Sequence, residues 1–325
     1  MDIVCKTADA LEFDKIKEKL SEFAKFEQSR TLCLRLSPFD GTEKIKRQIE
    51  FTREAKIILD LAKDTPTEFI ADISKIQQAS AVSYLEEREL FDVAKTMRSS
   101  RLLKRFIAEN SQNDFIINNL AQNLVSDKSV EDRIFEVFDE SLKIKQNATP
   151  ELKGLYSSLK DTEQNLRDTI NSLLNNSSFS KYLQDNIYTE RDGRVVFQVI
   201  ASNKTKVPGI IHDVSASAKT FYIEPAQIVP LNNKIREVKA KIRQECIKIL
   251  VGLTDLVKTH LKELAQTEKI MAEIDFHFAK ARYAVKLQAV EPEIIENREI
   301  YFENMKHPLL LAQGTEVVPN DFKIG

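Results

Sequence analysis

Between Pro230 and Pro292 the chain holds no proline and a single glycine, Gly252. Apolar residues recur through that stretch at Leu231, Ile235, Val238, Ile242, Cys246 and Ile249, and again at Leu253, Leu256, Leu261, Leu264, Met271, Ile274 and Phe278. The steps are mostly three and four, the coiled-coil period, which puts these side chains on one helical stripe. About sixty residues at about 1.5 Å rise predict a rod roughly 90 Å long. A rod of that length is longer than a globular domain is wide. It projects, and its apolar seam needs a partner helix, so the sequence predicts an elongated molecule.

Upstream, the same texture supplies partners. Leu11, Phe13, Ile16, Leu20, Phe23 and Phe26 predict a helix over about 10–27, and a second begins near Asp40 or Thr42 and runs to about Lys63. Pro66 breaks the pattern. Leu90, Val93, Met97, Leu103 and Phe106 mark a helix over about 84–109, with shorter ones near 113–125 and 129–142. Thr149 followed by Pro150 reads as an N-cap and first-turn proline. The helix they open carries Leu152, Leu155, Leu159, Leu166, Ile170 and Leu173. Seven glycines, nine prolines and no tryptophan fit long helices rather than many-turned β architecture.

Residues 187–224 have a different character. "IYTERDGRVVFQVIAS" places Asp192-Gly193 between β-rich runs, a hairpin signal. Pro208 and Gly209 mark another turn, and "GIIHDV" and "KTFYIEP" read as short strands. A small antiparallel sheet of three or four strands is therefore inserted where the helical chain reverses, at the tip of an arm. Ile210, Ile211, Phe221 and Ile223 are expected to hold this sheet together. After Pro292, "EIYFENMKHPLLLAQGTEVVPNDFKIG" returns to short strands and turns and reads as the opening of a further domain.

Net charge is −2, with both signs abundant, so total charge does not announce a nucleic-acid partner. No apolar run is long enough to span a membrane. The N-terminus lacks a secretory h-region, and cytoplasmic localisation is expected. Cys5, Cys33 and Cys246 show no metal spacing, and neither do the four histidines. No metal site is expected. His212, Asp213, Ser215 and Ser217 lie too close in sequence for a converging triad. They read better as a turn in which Asp213 caps backbone N–H groups, so no catalytic residues are assigned. In the β insert, Arg191, Arg194, Lys204, Lys206 and Lys219 face Glu190, Asp192, Asp213 and Glu224. Basic side chains in turns at the end of an arm can reach a polyanion. These five are the candidate nucleic-acid contacts, with the lysines as one row and the arginines as a second. A second basic cluster, Arg98, Arg101, Lys104 and Arg105, reads as a solvated helix face.

The segment "KVPGIIHDVSASAKTFYIEP...VPLNN", with "LEFDKIKEKLSEFA", "DFHFAKARYA" and "HPLLL...VVPND", resembles the type-two branch of the MutS family along essentially the whole chain. The chain departs from the family pattern at Ala218-Lys219, where a glycine-containing run is usual, and at Val195 and Gln198, where Tyr and Pro are usual. The resemblance implies a mainly α fold: long antiparallel lever helices, a small antiparallel β clamp insert, and the first strands of a C-terminal α/β ATPase domain. It divides the chain into a helical core and lever domain (1–186), the clamp (187–226), a long returning lever helix (227–291) and the start of a truncated ATPase domain (293–325). It implies ATP and Mg2+ as cofactors of the full-length protein, and DNA (branched or mismatched), a stalled ribosome through its rRNA, or both as partners of a homodimer. The phosphate-binding pattern G-x-x-x-x-G-K-[ST] does not occur in the 325 residues. The chain alone is therefore expected to bind no nucleotide cofactor and to be inactive as an ATPase or nuclease. The mismatch-reading Phe-x-Glu wedge of ordinary MutS has one match, Phe138-Asp139-Glu140, placed inside a helix and read as chance. The alternative function is a structural helical-hairpin interaction protein that binds no nucleic acid.

Overall fold

The computed structural model describes residues 3–62, 64–67, 69–295, 299–312 and 314–325. In chain order the first helices are α1 (Ile3–Ala10), α2 (Phe13–Ser21), α3 (Glu27–Leu34), α4 (Thr42–Ala62), α5 (Ile73–Val82), α6 (Glu87–Asn110), α7 (Ile116–Ala121) and α8 (Lys128–Val137). Then come α9 (Pro150–Asn175) and α10 (Ser177–Ser180), followed by strands β1 (Leu183–Arg191), β2 (Arg194–Ile200), β3 (Gly209–Val214) and β4 (Thr220–Pro225). The helices α11 (Val229–Lys258) and α12 (Leu261–Leu287) follow, then β5 (Ile300–Met305), α13 (Pro308–Ala312) and β6 (Asn320–Ile324). The fold is mainly α, with one four-stranded and one two-stranded antiparallel sheet. It forms two compact units, Met1–Phe135 with Leu253–Gly325, and Glu136–Gly252.

In the first unit α12 is the central element. Ile270, Met271, Ile274, Phe278 and Ala281 pack into one core with Phe51, Ala55 and Ile58 of α4 and Leu103 and Ile107 of α6. Phe276, Ala279 and Tyr283 fill a second core with Leu20, Ala24 and Cys33. A helix apolar on all sides is a buried helix, and that is why the single-stripe reading fails here. The sixty-residue rod is two helices. Thr259 turns its hydroxyl back onto the carbonyl of Leu256 (2.7 Å), and His260, at φ −105° and ψ 0°, starts the next helix. Such side-chain-to-backbone bonding competes with the helical ladder. The expected helix over 10–27 is likewise divided: Glu12 adopts a left-handed φ of 50° and Leu11 is exposed.

Buried polar groups pin loops and helix starts in this unit. The Glu54 carboxylate accepts the N–H groups of Ile116 and Ile117 at 2.8 and 2.9 Å, capping α7. Asp275 accepts from Lys25 (2.8 Å) and Phe26 (3.3 Å) ahead of α3, and Glu268 accepts from Ile73 (3.2 Å) at the start of α5. Thr254 and Thr267 accept the N–H groups of Leu85 and Val125. Helix N-termini leave donors without intrahelical partners, and here residues distant in sequence satisfy them.

In the second unit α9 and the first part of α11 form an antiparallel pair. Leu152 packs with Val238 and Ile242, while Leu166 and Ile170 lie with Ile235 in the core beneath the sheet. The α9 start is as predicted: Thr149 Oγ1 accepts the Leu152 N–H at 3.0 Å, and Pro150 follows. The sheet order is β1-β2-β4-β3. Asp192 (φ 50°) and Gly193 (φ 74°) form the two-residue hairpin between β1 and β2. Both central residues have positive φ, which the Asp-Gly pair suits. Phe197, Val199, Leu183 and Ile223 are the buried centre of the sheet. Ile210 and Ile211 do not join it: on the edge strand β3 they stay 47% and 50% exposed, a correction to the expectation that they bind the sheet. Gly209 is required where it stands, because a Cβ there would lie 2.1 Å from the Glu224 carbonyl oxygen. Phe138 is not helical. It follows α8, bridges to Ile144 and is buried, so Phe138-Asp139-Glu140 forms no exposed wedge.

Candidate nucleic-acid interface

The β1–β4 sheet grows from the joint it makes with α11, and that joint is centred on Glu224. This carboxylate, on the last turn-side residues of β4, is fully buried. It accepts two bonds from Arg194 Nη1 (3.0 and 3.1 Å) and one from Asn232 Nδ2 (2.9 Å), and its Oε2 lies 2.6 Å from His212 Nε2. Asn232 also donates to the Val195 carbonyl (3.2 Å), and Arg194 Nη2 donates to Asn233 Oδ1 (2.7 Å). Buried charges persist only when paired and hydrogen-bonded. Here a strand-end arginine, a bulge histidine and one helix-start asparagine, Asn232, satisfy one acid, while Asn233 holds the arginine. The sequence reading counted Glu224 only as a negative charge. The available signal was a carboxylate beside Pro225 in an otherwise apolar strand, followed by the Asn232-Asn233 pair.

This network decides what the five candidate cations can do. Arg194 is held by Glu224 and Asn233 and is only 15% exposed along its side chain. Arg191 stacks over the Tyr222 ring at 4.4 Å, with its Nε 3.8 Å from Asp213. The two arginines therefore sit at one end of the sheet, each already engaged. The lysines lie elsewhere. Lys204 and Lys206 belong to a 3-10 helix over Ala201–Lys206, and Lys219 closes the β3–β4 turn. The Lys219 carbonyl accepts the Ala201 N–H at 3.0 Å, which ties the two loops together. Lys204 Nζ lies 5.0 Å from the Phe221 ring centre and Lys206 Nζ 5.6 Å from that of Tyr182. Among the described residues none of the three lysines meets a carboxylate, in contrast to Arg191 and Arg194.

The remaining candidates resolve on geometry. Asp213 lies in strand β3 rather than in a turn, and its Oδ1 accepts only the N–H of the adjacent Val214 (2.8 Å); Ser215 Oγ, accepting the Thr220 N–H (3.1 Å), takes the turn role expected for Asp213. His212 and the two serines form no triad. The helix cluster is a solvated face in part: Arg98 and Arg105 are exposed, the latter beside Glu109, while Arg101 binds Glu131 through two nitrogens at 2.9 Å and Lys104 donates to the Gln122 and Leu124 carbonyls. Arg98 lies 5.9 Å from the Phe135 ring centre. Among the described residues no group of His, Cys, Asp and Glu could hold a metal ion, and no helix is long and apolar enough to cross a membrane. The segment around β5, α13 and β6 contains Gly314 and Gly325 but no lysine-bearing glycine loop opening a helix. The backbone N–H cradle and lysine with which such a loop holds the phosphates of a nucleoside triphosphate are therefore not supplied by this segment.

The chain thus contains a largely helical unit and a unit in which a helix pair carries a small antiparallel sheet. The chain is 32% identical over 323 residues to Endonuclease MutS2 of Clostridium kluyveri, 34% over 318 residues to that of Clostridium beijerinckii, and 32% over 324 residues to that of Bacillus velezensis. By sequence it is a relative of the MutS type-two family along nearly its whole length. The matches cover 97–98% of this chain and 40–41% of each relative, so the chain spans about two fifths of the length of those proteins. No protein-family model matches it.

Proposed function

We propose that this chain is the lever-and-clamp part of a MutS type-two protein and that its sheet contacts nucleic acid. In this reading residues 187–226 are the clamp, 227–291 the returning lever, and 293–325 open an ATPase domain. The full-length protein would work as a homodimer using ATP and Mg2+, acting on branched or mismatched DNA or on the RNA of a stalled ribosome. The relatives are named endonucleases, and no residue described above is assigned nuclease chemistry. The observation that carries the reading is the lysine group. Lys204, Lys206 and Lys219 come from two loops tied by one backbone bond, and none has an acidic partner among the described residues. Cations free of carboxylates are the ones that gain by displacing counterions from a phosphate backbone. No donor and acceptor pattern for reading base edges accompanies them, so binding is by charge and shape.

The test replaces all three lysines with glutamine and titrates branched DNA and structured RNA at several salt concentrations, with folding verified by circular dichroism. The log–log salt slope is expected to fall by about 0.7–0.9 per lost contact, with affinity reduced alike for all sequences. A folded variant that binds as tightly as wild type with an unchanged slope rules out the sheet as the contact surface.

A further inference from the structure

The helix pair α9–α11 carries its charges unevenly. Glu163 on α9 and Lys239 on α11 meet across the pair at 3.7 Å, which marks one side of it. On a helix, residues three and four positions away share a face. Lys160 and Arg167 stand at those offsets from Glu163, and Arg236 and Arg243 at the same offsets from Lys239. All four are exposed, and none makes an ion pair or hydrogen bond among the described residues. Lys153, one heptad before Lys160, borders with it an open groove of about 640 Å³ on this side. The other cations of the pair are neutralised: Lys248 lies by Glu151 and Glu245, and Lys234 and Lys241 lie by Glu237. One side of the pair thus presents two rows of unpaired cations, and its only acid there, Glu163, is already paired.

We propose that this flank of the α9–α11 pair is a second polyanion-binding surface, taking the sugar-phosphate backbone of a nucleic-acid duplex along the helix axes. Successive cations on each helix are seven residues, about 10.5 Å, apart, and the row Lys153–Arg167 extends about 21 Å. The two rows stand about one interhelical spacing, 8–10 Å, from each other. A linear array of long cationic side chains beside an open groove suits a regular line of phosphates. It offers no buried aromatic or aliphatic pocket of the kind that anchors a protein partner. The surface lies on different elements from the lysine loops of the sheet, so it stands or falls separately from them.

Glutamine substitution at Lys160, Arg167, Arg236 and Arg243 in the full chain tests this, because all four side chains are exposed and their loss leaves the apolar seam intact. Binding of a short labelled DNA duplex is titrated across salt concentrations, alongside the sheet triple variant. The flank variant is expected to lower the salt slope by about 3–4 and to weaken binding at about 0.1 M salt at least tenfold, in addition to any loss in the sheet variant. Glu163→Gln frees Lys239 and is expected to raise the slope by about 0.9. The proposal is overturned if the folded flank variant keeps the wild-type slope, or if wild type fails to bind the duplex. It is equally overturned if polyglutamate of equal charge displaces the duplex as well as unlabelled duplex does, which would mark an acidic protein as the occupant. Loss in the flank variant with none in the sheet variant upholds this surface and removes the sheet from the interface.

Discussion

At the residue scale, two positions carry measurable consequences of their surroundings. Ala218 adopts φ 54° in the β3–β4 turn, a left-handed conformation that an L-residue with a Cβ occupies at a cost. The resemblance to MutS type-two proteins implies a glycine-containing run at Ala218-Lys219, and the positive φ of Ala218 is a conformation that glycine adopts freely. Ala218→Gly is expected to stabilise the chain by about 0.5–1 kcal/mol, the relief of strain less the added freedom of the unfolded glycine. It would be read as a higher urea midpoint at constant slope. His277 stacks on Phe51, with ring centres 4.1 Å apart, and neither ring nitrogen has a partner among the described residues. Burial, aided by the charge of Lys280, lowers its pKa to about 2. The unfolded chain therefore takes up this proton below pH 6.5 while the folded chain does not, and stability is lost as pH falls from there. The loss approaches about 1.4 kcal/mol per pH unit, about 2 kcal/mol at pH 5. Glu54, whose carboxyl burial raises against its backbone hydrogen bonds, acts in the opposite sense at acid pH. The difference between wild type and His277→Phe isolates the imidazole: the variant should show the flatter dependence between pH 6.5 and 5 in chemical denaturation. Equal slopes would show that the imidazole stays accessible to protons.

At the element scale, the joint between the sheet and α11 rests on Glu224. A lone hairpin is marginal in water, and this sheet gains its order from the core under β2 and from the anchored end of β4. Glu224→Ala leaves Arg194 and His212 without their carboxylate and Asn232 with only the Val195 carbonyl as acceptor. Removing one partner of a buried ion pair costs about 3–5 kcal/mol. The expected result is early loss of amide-exchange protection in β3 and β4, with protection in α12 unchanged. Uniform loss through both units would show instead that they unfold as one.

At the scale of the whole molecule, the resemblance to an ATPase family and the absence of a phosphate-binding loop from these 325 residues lead to one expectation. The purified chain should turn over no ATP above a mock preparation. Saturable, magnesium-dependent hydrolysis would mean that phosphates are held by a site of another kind. The two units divide the remaining roles. Met1–Phe135 with Leu253–Gly325 is a helical body in which α12 is enclosed, and Glu136–Gly252 carries both groups of unpaired cations.

Much of this architecture follows from local rules, and those parts were legible. The Asp192-Gly193 hairpin, the Thr149-Pro150 helix start, the four strands and the α9–α11 seam each depend on residues near one another in sequence or on a simple period. What the sequence alone determined was therefore the class of fold, the placement of the β insert and the family resemblance. Only the tertiary structure decided which charges are free. Arg194 and Lys204 look alike in sequence, yet one is neutralised by an acid thirty residues away and the other meets no acid among the described residues. Arg101 is likewise held by Glu131, and the break at His260 separates a seam helix from one buried on all sides. The physical reason is range. Turn geometry and helical period are set within a few residues, whereas the worth of a charge depends on which opposite charges and how much water the fold leaves beside it.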